Sequence, residues 1–187
     1  MLKRTVFRIL LLLILLFWVS CTFDYGQNDG SDEEQPDLVM NNVEYVRVRS
    51  ADIQARFHAE LAERYEKKRK MELTKLRFEQ YGEHGNEINA FGTAGYASVD
   101  IDSGDISMRD GVRIEVESED ITIETERLEW LDENRTLSVG EKDTVNIFME
   151  NGTSFKGIGF NANARSRKWE FKGTVSGTYI YDDEEDE

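Results

Sequence analysis

Apolar and polar residues alternate along the second half of the chain, and this alternation is repeated. The three copies are the segments 105–112, 136–145 and 168–175. Each copy holds a short alternating stretch, a turn and a valine that begins a further stretch. The corresponding residues Met108, Val139 and Phe171 are 31 and 32 residues apart. A period of two predicts β-strands, and self-similarity at this spacing predicts one supersecondary unit per repeat. We therefore expect a stack of strands across residues 92–179.

Turn-forming residues separate these stretches at intervals of roughly 8–12 residues, which is the spacing of an all-β sandwich or barrel-like stack. Asp110-Gly111 and Asn151-Gly152 are dipeptides that form tight hairpins, because their second residue accepts a positive φ. The remaining predicted turns are 102–104, 117–120, 132–134, 140–143 and 165–167. The pattern predicts an all-β fold of antiparallel strands.

Residues before the repeats are less uniform. Segment 38–59 alternates and is predicted as strand, as are 73–81 and a short stretch at 87–91 that follows a turn at 82–86. Segment 61–70 stays open between helix and strand, because its Glu, Lys, Arg, Leu and Met residues are good helix formers. Its basic run at 67–70 is interpreted as a solvated turn, with contact to an acidic partner or headgroup as the alternative.

The N-terminus has the form of an export signal. Lys3, Arg4 and Arg8 accompany an unbroken apolar run of 11 residues at 9–19. A membrane-spanning helix needs about 20 apolar residues, so this run fits the apolar region of a secretory signal. Ser20-Cys21 follows and resembles the bacterial lipoprotein signal, in which the cysteine is lipidated. Trp18 departs from that pattern, which usually has leucine. An uncleaved signal anchor is the alternative.

Four parts are therefore predicted. They are a lipoprotein-type signal peptide at 1–20, an acidic flexible tether at 21–37, a β domain at 38–181 and an acidic tail at 182–187. Cys21 is the only cysteine, so the chain has no intramolecular disulfide and the domain depends on packing.

Composition and motifs exclude several functions. The formal net charge of -15 argues against nucleic acid, whose binding needs a Lys/Arg surface. His58 and His84 are the two histidines, far apart and without a nearby cysteine, so no metal or cofactor is predicted. Asp100–Asp105 resembles a calcium loop only faintly, because it lacks a third early ligand and the distant Glu. Phosphate loops and nucleophile elbows are absent from the sequence, and no enzyme is predicted.

Following each predicted strand by twos gives one apolar face, and its residues are the candidates for an interior groove. The lipid-groove candidates are Met108, Ile114, Ile123, Leu128, Trp130, Leu137, Val139, Ile147, Phe155, Phe160, Trp169 and Phe171. Ile158 and Val175 are predicted to lie on the same face. Such residues suit a closed core and an apolar ligand site equally well.

The strand pairs resemble a family, the lipopolysaccharide-transport β-jellyroll group. The resemblance rests on segments 106–114, 125–130, 137–147 and 157–175, and the order of anchor, tether and single domain is most similar to LptC-like members. It implies a repetitive antiparallel β-jellyroll, a V-shaped two-sheet sandwich that shields acyl chains. It further implies a lipopolysaccharide-like glycolipid ligand, edge-to-edge β-jellyroll partners and an ABC transporter. The implied location is the periplasmic face of a membrane, the inner one favoured.

Three functions follow as hypotheses. The first is a non-enzymatic lipid-transport bridge component of the cell envelope, LptC-like. The second is an envelope lipoprotein with a lectin-like β-sandwich that binds a glycan or protein. The third is a glycosidase, which needs two carboxylates about 5–10 Å apart in a cleft.

Overall fold

The computed structural model describes residues 35–82 and 87–180, which fall in one compact unit. The strands are β1 (Leu38–Arg49), β2 (Asp52–Tyr65), β3 (Lys70–Tyr81), β4 (Ile88–Asp100), β5 (Ile106–Val116), β6 (Ile121–Leu131), β7 (Thr136–Ser138), β8 (Thr144–Met149), β9 (Ser154–Ile158), β10 (Phe160–Asn163), β11 (Lys168–Phe171) and β12 (Val175–Thr178). A single 3₁₀ turn at Glu117–Glu119 is the one helical element among these residues. No helix in the described ranges is both long and apolar enough to cross a membrane.

All twelve strands belong to one antiparallel sheet, which confirms the predicted all-β fold. Strands β1 to β7 pair in chain order, and the sheet then branches at β6. The first half of β6 (121–125) pairs with β8, and its last residues (129–131) pair with β7. One branch continues from β8 to β9 and β12, and the other from β7 to β10 and β11.

A row of kinks crosses the long strands. In a regular strand, residues three apart point to opposite faces. Here such residues are buried together: Ala59 with Ala62 in β2, Leu73 with Leu76 in β3, and Ala94 with Ala97 in β4. The ladder is interrupted or shifts register between these positions, also in β5 and β6. Asn42 in β1, Lys75 in β3 and Asp110 in β5 have positive φ at the kink. Each long strand therefore points apolar residues inward on both sides of its kink.

The kinks divide the sheet into two walls that enclose one core. Wall 1 comprises residues 38–41, 61–65, 70–74, 96–100, 106–109 and 127–131 with β7, β10 and β11. Wall 2 comprises residues 43–49, 52–59, 76–81, 88–94, 112–116 and 121–125 with β8, β9 and β12. Buried residues of both walls form a single cluster. We call the side where the free ends of the two walls meet the opening; the kink row is the closed side.

The kink in β6 contains a buried polar group that is satisfied. Thr125 is buried, and its hydroxyl oxygen lies 3.1 Å from the Arg127 carbonyl oxygen and 3.0 Å from that of Thr144. The hydroxyl can donate its one proton to either acceptor. Because an unpaired buried carbonyl costs about 1–3 kcal/mol, this hydroxyl supports the interrupted ladder.

Several sequence-based predictions need correction. Asp110-Gly111 does not form a hairpin but lies at the kink within β5. Residues 87–91 are not a separate short strand, because β4 continues through Gly92 to Asp100. Ile158 and Val175 do not join the core. Gly157, not its neighbour Ile158, pairs opposite the buried Val145, and Val175 is exposed.

Other predictions are confirmed. Asn151-Gly152 forms the turn between β8 and β9, where the Gly152 amide donates to the Met149 carbonyl over 3.0 Å. Segment 61–70, which the sequence leaves undecided between helix and strand, is strand up to Tyr65. An exposed turn follows, and Lys70 is the first residue of β3. His58 is an exposed strand residue, as expected. His84, Cys21, the predicted signal peptide and the acidic tail lie outside the described residues.

Replacing Gly95 with alanine should destabilise the kink. A Cβ at Gly95 would lie 2.7 Å from the Asp110 carbonyl oxygen, which is backbone and cannot rotate away. We expect a loss of about 2–3 kcal/mol in the free energy of unfolding, the upper range for overpacking, measured by urea denaturation.

Gly111→Ala is the matched control. It lies at the same kink with φ of +79° and nothing within 4 Å of its Cβ position, so only backbone strain opposes the methyl group. We expect a loss of about 1 kcal/mol. Equal losses for the two variants would contradict a steric role for Gly95.

Candidate functional site

A cavity of about 230 Å³ lies between the two walls, on the side of the opening. Its lining residues are Arg47, Arg49, Gln54, Ala55, Phe57, Leu76, Phe78, Glu79, Gln80, Tyr81, Ala90, Gly104, Ile106, Met108, Ile114, Val116, Trp130, Asp132, Arg135, Leu137 and Ala164. Wall 2 contributes the residues up to Ala90 together with Ile114 and Val116. Wall 1 and its turns contribute the others, so the cavity separates the two walls.

The inner part of the cavity is apolar because alternate residues of neighbouring strands point into it. Phe57 of β2 pairs with Phe78 of β3, and Ile106 of β5 pairs with Trp130 of β6. Leu137 of β7 pairs in turn with Trp130. An apolar cavity of about 150 Å³ stays dry and binds one benzene molecule. By that scale the present cavity holds on the order of ten carbon atoms.

The outer part of the cavity is charged, and an ion pair crosses the opening there. Arg47 of wall 2 lies 3.6 Å from Asp132, in the turn that follows β6 in wall 1. The Trp130 indole N–H donates to the same carboxylate over 3.2 Å. The Arg135 guanidinium lies 5.4 Å from the centroid of the Trp130 ring. This group of side chains joins the two free ends beside the cavity.

A second ion pair crosses the opening farther along. Arg167, in the turn between β10 and β11 of wall 1, lies 3.5 Å from Glu119, in the turn between β5 and β6 of wall 2. The side chain of Arg167 is 75% exposed and that of Glu119 is 38% exposed. Exposed pairs contribute about 0–1 kcal/mol each, so these contacts close the opening only weakly.

Tyr81 and Glu79 form the remaining polar contact of the lining. The Tyr81 hydroxyl donates to the Glu79 carboxylate over 2.5 Å. That hydrogen bond, followed by desolvation, raises the pKa of Tyr81, so the phenol stays neutral at physiological pH. Glu79 also lies 3.8 Å from Arg56. The charges of Glu79 and Arg56 are therefore already partnered.

Aromatic rings fill the interior at its C-terminal end. Phe160, Phe171, Phe155 and Trp169 contact one another with ring centroids 5.5–6.2 Å apart. Phe155 belongs to wall 2, and the other three belong to wall 1. A Cβ at Gly157 would overlap the Phe171 ring, so a glycine is needed for this contact. These rings therefore pack against one another at this end, whereas the cavity is lined mostly by residues of β1 to β7.

The twelve groove candidates fall into three groups. Met108, Ile114, Trp130 and Leu137 line the cavity. The buried core away from it contains Ile123, Leu128, Val139, Ile147 and Phe160. Phe155 and Phe171 are partly buried against that core, whereas Trp169 is 38% exposed. A role in lipid contact stays a prediction for all twelve.

Sequence reasoning missed the cavity residues that precede the repeats, above all Phe57, Leu76 and Phe78 and the arginines of β1. The sequence contains a signal for the arginines. Val43, Tyr45, Arg47 and Arg49 are spaced by two and therefore lie on one face of a strand. That spacing places the two arginines on the inward side together with the apolar residues.

Titratable side chains in the described ranges do not gather into a metal site. No group of three or more His, Cys, Asp or Glu residues there can hold a metal ion. The chemistry that the cavity offers is binding of an apolar chain, with guanidinium and carboxylate groups at its entrance.

Comparison with known proteins gives two positive findings. A family model described as lipopolysaccharide-assembly, LptC-related, matches residues 9–180. The fold is similar to the crystal structure of LptH, the LptA-homologous periplasmic component of the lipopolysaccharide transport device of Pseudomonas aeruginosa. The TM-score is 0.50 at 9% identity, over 81% of this chain and 99% of that one, which shows the shared fold alone. No curated protein matches the chain.

Proposed function

This chain belongs to the LptC-related family of lipopolysaccharide-assembly proteins, and we propose that it is a non-enzymatic component of a periplasmic lipid-transport bridge. Its ligand is lipopolysaccharide or a similar glycolipid, and the bridge carries that ligand from the inner to the outer membrane. The observation that supports this most is the apolar cavity between the walls, which opens on one side. A lectin-like sandwich would need no such interior space.

The cavity suits an acyl chain in chemistry and in position. Its inner lining consists of aliphatic and aromatic side chains, which favour hydrocarbon over sugar. Burial of a methylene group contributes about 0.8 kcal/mol. A chain of several carbons is therefore held more firmly by the interior than the exposed ion pairs hold the walls together.

Attachment to the membrane is the second part of the proposal. The family match begins at residue 9, at the first residue of the apolar run, so that run belongs to the matched region. In this proposal residues 1–20 direct export, Cys21 carries the lipid anchor and residues 21–37 tether the domain on the periplasmic face. An uncleaved apolar anchor gives the same placement, and the inner membrane is favoured by the family.

Partner proteins join the domain by strand addition in this proposal, as the family resemblance implies. β1 is the edge strand of the sheet and has 12 residues, whereas β11 and β12 at the other end have four each. Val39, Val46 and Val48 on β1 are exposed. A long, apolar edge with unpaired backbone groups is a suitable template for another β-jellyroll. The resemblance includes an ABC transporter among the partners.

Photo-crosslinking tests the lipid contact. A photoreactive amino acid at Phe78 or Trp130, which line the cavity, should form adducts with the glycolipid in cells. The same amino acid at Arg127, exposed on the outer face of β6, should form none. Absence of adducts from every cavity position, with the protein folded and exported, would contradict the proposal.

Filling the cavity should separate binding from stability. Ala55 and Ala90 line the cavity from two strands, and Ala55→Leu places three further carbon atoms in the empty space. We expect lipid uptake to fall at least about fivefold while the free energy of unfolding is unchanged or rises by about 1 kcal/mol, as for cavity-filling changes.

Thr93→Leu is the control for added apolar volume, because Thr93 is exposed on β4. It should leave lipid uptake unchanged in a fluorescent-lipid binding assay. Uptake that survives Ala55→Leu at the wild-type level would place the lipid elsewhere.

A further inference from the structure

Three arginines stand at the entrance of the cavity in a strongly acidic protein. Arg47, Arg49 and Arg135 all contribute to its lining. The chain has 38 Asp and Glu residues against 23 Lys and Arg, for a net charge of -15. The net charge of the chain therefore disfavours the approach of an anionic molecule. The local excess of guanidinium groups gives it a place to approach beside the cavity.

Two of these guanidiniums are available for a ligand. Among residues 35–82 and 87–180, neither Arg49 nor Arg135 is paired with a carboxylate, and Arg135 rests on the Trp130 ring. Arg47 is paired with Asp132 over 3.6 Å, which is a long and half-exposed contact. The second carboxylate of the lining, Glu79, accepts from Tyr81 and faces Arg56, so it does not neutralise these arginines.

The three arginines lie at the entrance of the apolar cavity. Arg47 and Arg49 are two residues apart on the inward face of β1, about 7 Å along the strand. Arg135 approaches the same entrance from the turn after β6. A molecule whose hydrocarbon part lies between Phe78 and Trp130 would therefore hold its polar end among the three guanidiniums.

We propose that Arg47, Arg49 and Arg135 form a rim site for the phosphate or carboxylate headgroup of an amphiphile whose chain lies in the cavity. Planar guanidiniums bind both anions in a bidentate manner. The proposal rests on the proposed function and adds that the ligand carries an anionic headgroup. The headgroup competes with Asp132 for Arg47, so its binding also releases the ion pair that crosses the opening.

The test uses the full chain and two soluble amphiphiles of equal chain length, dodecyl phosphate and dodecyl maltoside, below their micelle concentrations. Calorimetric titration gives the affinity of each. Arg49→Gln/Arg135→Gln should weaken dodecyl phosphate binding about tenfold or more, because charge-assisted hydrogen bonds are lost. Binding of the uncharged dodecyl maltoside should stay within about twofold, since only the cavity holds its chain.

The control carries the same change of charge on the outer face. Arg77 and Arg127 are exposed and have no carboxylate partner among the described residues. Arg77→Gln/Arg127→Gln should leave both affinities unchanged. An equal loss of dodecyl phosphate binding in the two double variants would mean that bulk charge, not the rim, attracts the anion, and would overturn the proposal.

Asp132→Asn is the second variant. Asparagine still accepts the Trp130 N–H but no longer pairs with Arg47 as a charge. Dodecyl phosphate should bind about two- to fivefold more tightly, the range of an exposed ion pair. Unchanged or weaker binding would contradict competition for Arg47.

Inorganic phosphate separates a headgroup site from a free-anion site. It should not displace dodecyl phosphate when both are at equal concentration; displacement would assign the rim to free phosphate and overturn the proposal. Binding of both amphiphiles with equal affinity removes the rim site but leaves the transport function. Failure of the wild-type protein to bind either amphiphile removes both.

Discussion

The structure depends on a break in the two-residue period of the strands. A regular strand presents one face to a core, but here each long strand changes phase once, and residues on both sides of the change point inward. Ala59 and Ala62, three residues apart, are both fully buried for this reason. The break lies at neighbouring positions in consecutive strands, so one row of kinks converts a single sheet into two facing walls. Without it the same alternation would give a flat sheet with one wet face.

Charge is arranged around this geometry. The central core contains aliphatic and aromatic side chains and the satisfied hydroxyl of Thr125, whereas the opening carries the ion pairs that join the two walls and the arginines. The closed side is therefore held mainly by apolar burial, which electrostatic screening does not weaken. The opening is held by exposed ion pairs, which are weak and screened. The two sides of the interior differ in strength, and the weaker one is next to the cavity.

Much of the fold could be predicted from the sequence, because alternation and turn residues report local geometry. Segment 61–70 shows the limit of propensity: its helix-forming residues 61–65 belong to β2, where Ala62 pairs with Leu73, and residues 66–69 form a turn. Asp110-Gly111 shows the limit of turn signals. Residues with a positive φ occur in hairpins and in kinks alike. Asp110-Gly111 lies at a kink because β5 pairs with β4 on both sides of this dipeptide.

The candidate site was less predictable, since alternation shows that a residue points inward but not what lies across from it. Ile123 and Ile114 have the same pattern and pair with each other, yet only Ile114 reaches the cavity. Phe57 and Phe78 belong to strands outside the repeat, so self-similarity gave no reason to include them. Their contribution follows only from the order of strands in the sheet.

Magnitudes indicate how a lipid enters such a domain. The cavity accepts on the order of ten carbon atoms, so a lipid with several acyl chains needs the walls to separate. Separation at the kink row would expose the buried core, at about 25 cal/mol per Å² of apolar surface. Beside the cavity, two ion pairs cross the opening, the half-exposed Arg47–Asp132 and the exposed Arg167–Glu119, and such pairs contribute no more than about 1 kcal/mol each. Two or three buried methylene groups offset that cost at about 0.8 kcal/mol each. Under the proposed function, entry of a lipid through the opening therefore costs less than entry at the kink row, because only these ion pairs oppose it beside the cavity.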